Sequence, residues 1–252
     1  GRHTKFRYAR GMKAGESKPN ETARRLLEAQ YRESLAAVTE RMFGVAGIVP
    51  GQRVLDLGTG GGDTALIAAE RVGPAGSILT TDIDPRHLRQ LRLANVEVRQ
   101  HDVLTDPLPT GVFDLALARL VLEHLPHPWL ALAEAQRVLK PGGVIIVSVP
   151  HLSRLHDLPH DYFRFTANGL KSLLGDAGFS DVEIVPKGGV FSFLGHQVST
   201  FFVTLTWGIP VLREIVYYLN SWWVTRLCLG VERLFRQGGL APLGYVAVGR
   251  KA

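Results

Sequence analysis

Residues 54–65 read V-L-D-L-G-T-G-G-G-D-T-A, a short apolar strand with an acid two positions before the first glycine of a glycine-rich turn. That order is a strand-turn-helix unit. Gly58, Gly60 and Gly62 lack side chains where the chain must bend sharply and where a ligand must touch backbone. A helix beginning at Asp63 points unpaired N–H groups at whatever fills the turn. The pattern predicts a nucleotide-cofactor turn in an open, mostly parallel sheet. Spacing narrows the cofactor. A dinucleotide fingerprint, G-x-G-x-x-G, counted from Gly58 needs its third glycine at position 63, where Asp63 stands, so a nicotinamide oxidoreductase is disfavoured.

A second acid follows where a ribose needs one. Residues 77–82, S-I-L-T-T-D, form another apolar strand ending in Asp82, 20 residues past Gly62. That separation sets a carboxylate against ribose hydroxyls across adjacent parallel strands. A third strand at 96–101 ends at Asp102, and a fourth at 112–118 follows the turn Pro109-Thr110-Gly111. Apolar spacing predicts a helix over 129–140, then Pro141-Gly142-Gly143 and a strand at 144–149. Strand-end acids often only cap the next helix. Asp84 before Pro85 reads that way, and Asp63 reads as a partner of its helix dipole. Asp56, Asp82 and Asp102 read as ligand groups, because each ends a strand at the edge where such sheets bind ligands.

The D-x-G-x-G-x-G run at 56–62 and the segment E-A-Q-R-V-L-K-P-G-G-V-I-I-V at 134–147 resemble the class I S-adenosylmethionine (SAM)-dependent methyltransferases, in particular the small-molecule group with a type 11-like domain. The resemblance is strong over residues 53 to 150 and looser elsewhere. It implies an α/β, doubly wound, seven-stranded and mostly parallel Rossmann-like sheet, with an N-terminal helical cap and a helical hairpin inserted before the last strand. It implies SAM as cofactor, with the Asp56 carboxylate facing the ammonium and the turn wrapping the methionine part. It assigns cofactor binding to Asp56, Gly58, Thr59, Gly60, Gly62, Asp82, Ile83, Asp102, Val103 and Arg119. The expected organisation is a basic arm at 1–19, a helical cap at 20–46, the SAM-binding core at 47–189, the apolar hairpin at 190–240 and a final antiparallel strand at 241–252. Within the cap, residues 21–43 read as one helix with Asn20 as its N-cap.

Composition bounds the partners. A chain of 252 residues with 46% apolar content can bury a full core. The single cysteine, Cys228, excludes a disulfide and a cysteine-based zinc site, which fits a reducing compartment. No cleavable signal pattern opens the chain, and the Gly1 start reads as trimmed or tagged. The expected location is cytoplasmic, with membrane association as the alternative. The net charge of +6 is concentrated partly in Arg2, Lys5, Arg7, Arg10, Lys13 and Lys18, an arm read as solvated rather than as a nucleic-acid binder. After the fourth strand there is no Asn-Pro-Pro-aromatic motif, and Cys228 has no preceding proline. Nucleic acid is therefore not expected, which leaves a small-molecule or lipid-like acceptor, methylated on oxygen, nitrogen or carbon.

Methyl transfer from a sulfonium is an in-line displacement, so the protein must align two reactants and exclude water, with a base only where the acceptor loses a proton. Candidate groups are His124, His151, His160 and Tyr162, with His127, His156, Asp161 and Arg164 near them in sequence; proximity alone is the competing reading. The run P-H-D-Y-F-R-F-T at 159–166 resembles a signature of some of these methyltransferases and by position forms a lid. His151, His156 and His160 with Asp157 and Asp161 match no standard ligand spacing, so no metal is expected.

Residues 190–212 contain no Asp, Glu, Lys or Arg, and a second apolar segment at 215–235 carries Trp222 and Trp223. Each is long enough to span a bilayer. Interspersed Ser, Thr, His and Gln, and the pair Gly208 and Pro210, argue against spanning, and the second segment reads as an amphipathic helix. A hairpin over 190–236 then has four outcomes: peripheral membrane contact, a homodimer, a wall for a large apolar acceptor, or simple packing on its own core. The alternative to an enzyme is a non-catalytic SAM-fold protein that binds a membrane or partner through the same hairpin.

Overall fold

Adjacent residues of a strand face opposite sides of its sheet, and here both sides are apolar. Val54, Ile78, Leu115, Leu117 and Ile146 join one buried cluster, while their neighbours Leu55, Leu79, Ala116, Ala118, Ile145 and Val147 join another. Continuous apolar strands of this kind require cover on both faces. The computed structural model of the chain describes residues 42–90, 93–156, 158–206, 209–220, 223, 225–235 and 239–252. The basic arm, nearly all of the expected N-terminal helix and its Asn20 cap, Asp157, Gly208 and Trp222 lie outside the described residues.

The strands are β1 (Arg53–Leu57), β2 (Ser77–Asp82), β3 (Val96–Gln100), β4 (Phe113–Arg119), β5 (Leu139–Pro150), β6 (Phe179–Lys187) and β7 (Gly244–Lys251). They form one sheet in the order β3-β2-β1-β4-β5-β7-β6. Pairings from β3 through β5 are parallel, and β7 runs antiparallel between β5 and β6. This is the doubly wound, Rossmann-like sheet that the sequence predicts. Helix α1 (Asp63–Val72) covers one face together with Met42 and Phe43. Helices α2 (Pro128–Val138) and α3 (Ala167–Asp176) cover the other.

Local chemistry sets the helix ends. Helix α1 starts after Gly62 in the left-handed region at φ 82°, with Asp63 in its first turn, where an acid favours the dipole. Helix α2 opens on Pro128, and α3 is capped by Thr166 Oγ1, which accepts the Gly169 N–H at 3.1 Å. Helix α2 ends at Val138, two residues before the expected end, because Lys140 precedes Pro141 and is driven to extended backbone. The strand then begins at Leu139 rather than 144. Pro141, Gly142 and Gly143 form an irregularity between the pairs Phe113–Leu139 and Leu115–Val144.

The expected hairpin is three helices: α4 (Val190–Leu205), α5 (Pro210–Leu219) and α6 (Thr225–Phe235). The first ends at Leu205, and the next opens on Pro210, a residue suited to a first helical turn. No helix among the described residues is long and apolar enough to cross a membrane. Helix α6 is amphipathic, with Arg226 exposed and Glu232 half-buried. Its Glu232 Oε2 accepts the Ser192 N–H at 2.8 Å at the start of α4, while Leu227 and Leu234 are 66% and 79% exposed. Phe201, Leu205, Val211 and Trp223 are exposed as well.

Candidate active site

Strands β1 and β4 are neighbours although β2 and β3 lie between them in sequence. Their helical connections therefore leave on opposite faces, and a crevice opens beyond their carboxyl ends. Asp56, one residue from the end of β1, is 1% exposed, and its Oδ2 has no hydrogen-bond partner. Burial pushes this carboxyl up to about 6, against the opposing pull of the Thr59 hydroxyl and the Arg119 charge. A buried acid with an unused oxygen suits a cation brought in by a ligand.

The three glycines of the turn have different reasons to be glycine. All have positive φ, 61°, 56° and 82° for Gly58, Gly60 and Gly62. A Cβ on Gly58 would lie 2.4 Å from Val121 Cγ2, so the turn is packed against the segment leaving β4. A Cβ on Gly60 would meet nothing within 4 Å. Gly58 is thus fixed by internal packing, and Gly60 borders open space.

Asp82 organises the turn from the next strand. Its Oδ2 accepts the Gly60 N–H at 3.0 Å and its Oδ1 accepts the Asp84 N–H at 2.9 Å. Each oxygen retains a lone pair for a further donor. Beside it, Ile83 is an exposed apolar residue. Asp102 Oδ1 accepts the Leu104 N–H at 2.9 Å in a local turn, and Val103 packs on the core. Arg119 donates to Thr64 Oγ1 at 3.0 Å, which ties the end of β4 to the first turn of α1. The ten cofactor residues expected from sequence thus come from the carboxyl ends of β1 to β4 and the turns after them.

The expected acceptor groups do not form one cluster. His124 Nδ1 lies 2.8 Å from the His160 carbonyl, and His160 Nδ1 lies 3.2 Å from the Tyr162 hydroxyl. His151 stands apart, its ring centroid 5.3 Å from that of Tyr245 on β7. Residues 151–156 and 158–166 form loop segments held from within: Arg164 grips both oxygens of Asp161 and donates to the Arg154 carbonyl at 2.8 Å. That grip holds the Asp161 carboxyl well below the usual carboxylate range. The Tyr162 N–H donates to the Glu123 carbonyl at 2.8 Å and pins the loop to the 3-10 turn Leu122–His124.

Sequence reasoning missed Glu123 and Lys187. Glu123 is fully buried, and burial pushes its carboxyl up to about 7. Lys187, at the end of β6, donates to Ser148 Oγ at 2.8 Å, and burial pushes its amino group down to about 8. One signal was present: Glu123 directly follows the apolar run Leu120-Val121-Leu122. Leu120 in that run has φ 51°, a left-handed backbone unusual for a bulky residue and a strained bend beside the site. A shallow cavity of about 260 Å³, lined by Arg53, Ser77, Glu97 and Arg99 among others, opens at the far end of the strands. It lies away from the carboxyl edge where sheets of this type bind ligands.

Comparison with known proteins agrees with this geometry. A methyltransferase domain family matches residues 55–147. The ubiquinone/menaquinone biosynthesis C-methyltransferase UbiE of Cupriavidus taiwanensis is 39% identical over 115 residues, 42% of this chain and 47% of that protein. The arsenite methyltransferase of Halobacterium salinarum is 29% identical over 161 residues, 56% of this chain and 41% of that protein. The chain thus spans about half the length, or less, of these curated relatives. Among solved structures, a SAM-dependent methyltransferase from Aquifex aeolicus superimposes with a TM-score of 0.52 at 25% identity, covering 59% of this chain and 82% of that one. From β1 into β5, where turn, strand-end acids and relatives coincide, the chain matches a methyltransferase domain family and is similar to S-adenosylmethionine-dependent methyltransferases.

Proposed function

We propose that the protein transfers a methyl group from SAM to a small-molecule or lipid-like acceptor. The carrying observation is the unpaired, buried Asp56 oxygen beside a turn whose Gly60 faces open space. When bound, SAM supplies an electrophilic methyl on its sulfonium sulfur. In this reading Asp56 balances the ligand's ammonium, and Gly58, Thr59, Gly60 and Gly62 hold the amino-acid part with Arg119 beside them. Asp82 and Ile83 take the ribose, and Asp102 and Val103 take the adenine.

On the acceptor side, the loop segments 151–156 and 158–166 exclude water and position the acceptor for in-line attack. His124, His151, His160 and Tyr162 are the groups that would accept or relay a proton if the acceptor has one to lose. The UbiE relatives make a lipid-soluble quinone precursor the first acceptor to try. Arsenite is less apt, since a soft, thiol-seeking species would find only Cys228 here. The exposed apolar residues of α4 to α6 support an acceptor drawn from a membrane surface, with peripheral contact rather than a span.

Calorimetric titration with SAM, followed by transfer of isotopically labelled methyl to a quinone precursor in detergent micelles, tests this reading. One SAM per chain and labelled product are expected. No SAM binding would remove the whole proposal, whereas binding without transfer to any apolar acceptor would remove its acceptor half.

A further inference from the structure

Two ionic side chains near the carboxyl edge of the sheet have bonding capacity that neither spends on the other. Glu123 is fully buried, and neither of its oxygens has a hydrogen-bond partner. Lys187, half-buried, gives one ammonium hydrogen to Ser148 Oγ at 2.8 Å. Each feels the charge of the other, yet no hydrogen bond joins them. A buried carboxylate left unmatched is costly, and a group held that way calls for a partner.

The backbone fixes where the pair lies. Lys187 ends β6 opposite Gly244 of β7, which lies opposite Pro150 of β5. The lysine crosses β7 to reach Ser148, and Gly244 leaves it room. A Cβ there would stand 2.9 Å from Lys187 Cε and 2.3 Å from the Val149 carbonyl oxygen. Ser148 is the register partner of Arg119, which is tied to Thr64 in the first turn of α1. Val121, two residues before Glu123, packs against Gly58 of the turn. From the other side the Tyr162 N–H donates to the Glu123 carbonyl at 2.8 Å. Glu123 and Lys187 therefore stand between the cofactor turn and the acceptor-side loop, where an acceptor must sit to meet a methyl group.

We propose that Glu123 and Lys187 together bind and deprotonate a hydroxyl of the acceptor, which makes that acceptor a phenol or an enol. A hydroxyl donates through its hydrogen and accepts through its oxygen, so it fits a carboxylate with unused oxygens and an ammonium with unused hydrogens at once. The O–H bond breaks, its proton goes to a Glu123 oxygen, and the electron pair left on the acceptor oxygen is held by the Lys187 ammonium. The anion that results is nucleophilic at oxygen or at a conjugated carbon. A carboxylate raised by burial to about 7 is too weak a base for an aliphatic alcohol. It is within reach of a phenol, whose pKa of about 10 falls beside a cation. The charges facing Glu123 are Lys187, Arg164 and His124, whose Nε2 lies 4.0 Å from Oε1, and Arg119 faces Lys187. Arg164 is already neutralised by Asp161. The inference rests on the methyl-transfer reading for what the anion attacks, though not for the binding of the hydroxyl.

The test uses the full chain, with 4-nitrophenol as a coloured hydroxyl probe and 4-nitroanisole as the same ring without the hydroxyl hydrogen. The nitrophenol should bind at least about tenfold tighter, the worth of one charge-assisted hydrogen bond. It should also show the yellow phenolate band when bound, at a pH where the free probe is mostly colourless. Both readouts are taken on the unaltered chain and need no variant to fold. Glu123→Gln and Lys187→Met should each lose the band, and Lys187→Met should bind the probe at least about tenfold more weakly, with SAM affinity kept in both. A bound probe that stays neutral, equal binding of the nitroanisole, or a phenolate band retained by both folded variants would overturn the proposal and leave the pair a structural one. SAM titration of the unaltered chain, run in parallel, reports on the methyl-transfer reading alone.

Discussion

Asp56 is a residue whose protonation pulls in two directions. Its folded pKa is raised from 3.8 to about 6 by burial. Above pH 6 the buried charge therefore costs the folded chain about 3 kcal/mol, and that cost fades as pH falls through 6 toward 3.8. Binding of an ammonium has the opposite sign, since it needs the charged carboxylate. SAM affinity should accordingly fall on acidification from pH 7.5 to 5, with Asp56→Asn weak at both; a Kd that ignores pH would remove Asp56 from the ammonium site. The glycines separate packing from ligand space. Gly58→Ala drives a Cβ into Val121 at an already left-handed φ and should lower Tm. Gly60→Ala carries only the left-handed strain, about 1 to 2 kcal/mol, and should stay folded while losing SAM binding. Normal SAM binding by a folded Gly60→Ala protein would make the turn purely structural. Asp82→Ala is a less clean probe than the sequence implies, because both oxygens already hold turn amides. Asp82→Asn keeps one acceptor and separates the ribose contact from the turn.

Among elements, α4 to α6 set the boldest expectation. Trp223 is 64% exposed, so Trp223→Ser should leave Tm nearly unchanged, unlike the loss of about 3 to 5 kcal/mol that a core tryptophan would bring. Combined with Phe201→Ser and Val211→Ser, it should spare SAM affinity and reduce co-flotation with liposomes and turnover of an apolar acceptor. Unaltered flotation and turnover would make this surface incidental. The same elements show where the sequence was legible. Strands β1 to β4 and α1 were readable because their signals are local: a glycine turn, an acid at a strand end, alternation buried on both sides. The cofactor half follows, since Asp56, Gly60 and Asp82 lie at those ends. The other half was opaque. Glu123, His156 and Lys187 sit far apart in sequence; the apolar residues before Glu123 are a faint signal of its burial, and Lys187 gives none. Helix α6 shows a related limit: periodicity reveals a polar stripe but not whether Glu232 will face water or the start of α4.

At the scale of the molecule, the sheet depends on its last strand. β6 pairs only with β7 among the described strands, and Val246 and Ala247 belong to the two buried clusters on opposite faces. A chain ending at residue 243 should therefore lose the cooperative calorimetric transition rather than merely shift it, because it exposes both core faces at once. A sharp transition in the truncated chain would show that β1 to β5 fold as an independent unit.

Placing β7 between β5 and β6 also has a consequence for biosynthesis. The ribosome makes Pro150 long before Gly244, and at about 5 to 20 residues per second that interval lasts on the order of 5 to 20 s. Throughout it the nascent chain carries the apolar β5 segment without its β7 partner, the kind of unpaired strand that recruits strands from neighbouring molecules. Yield in a cell should thus track the supply of chaperones that shield such strands more than the stability of the finished protein.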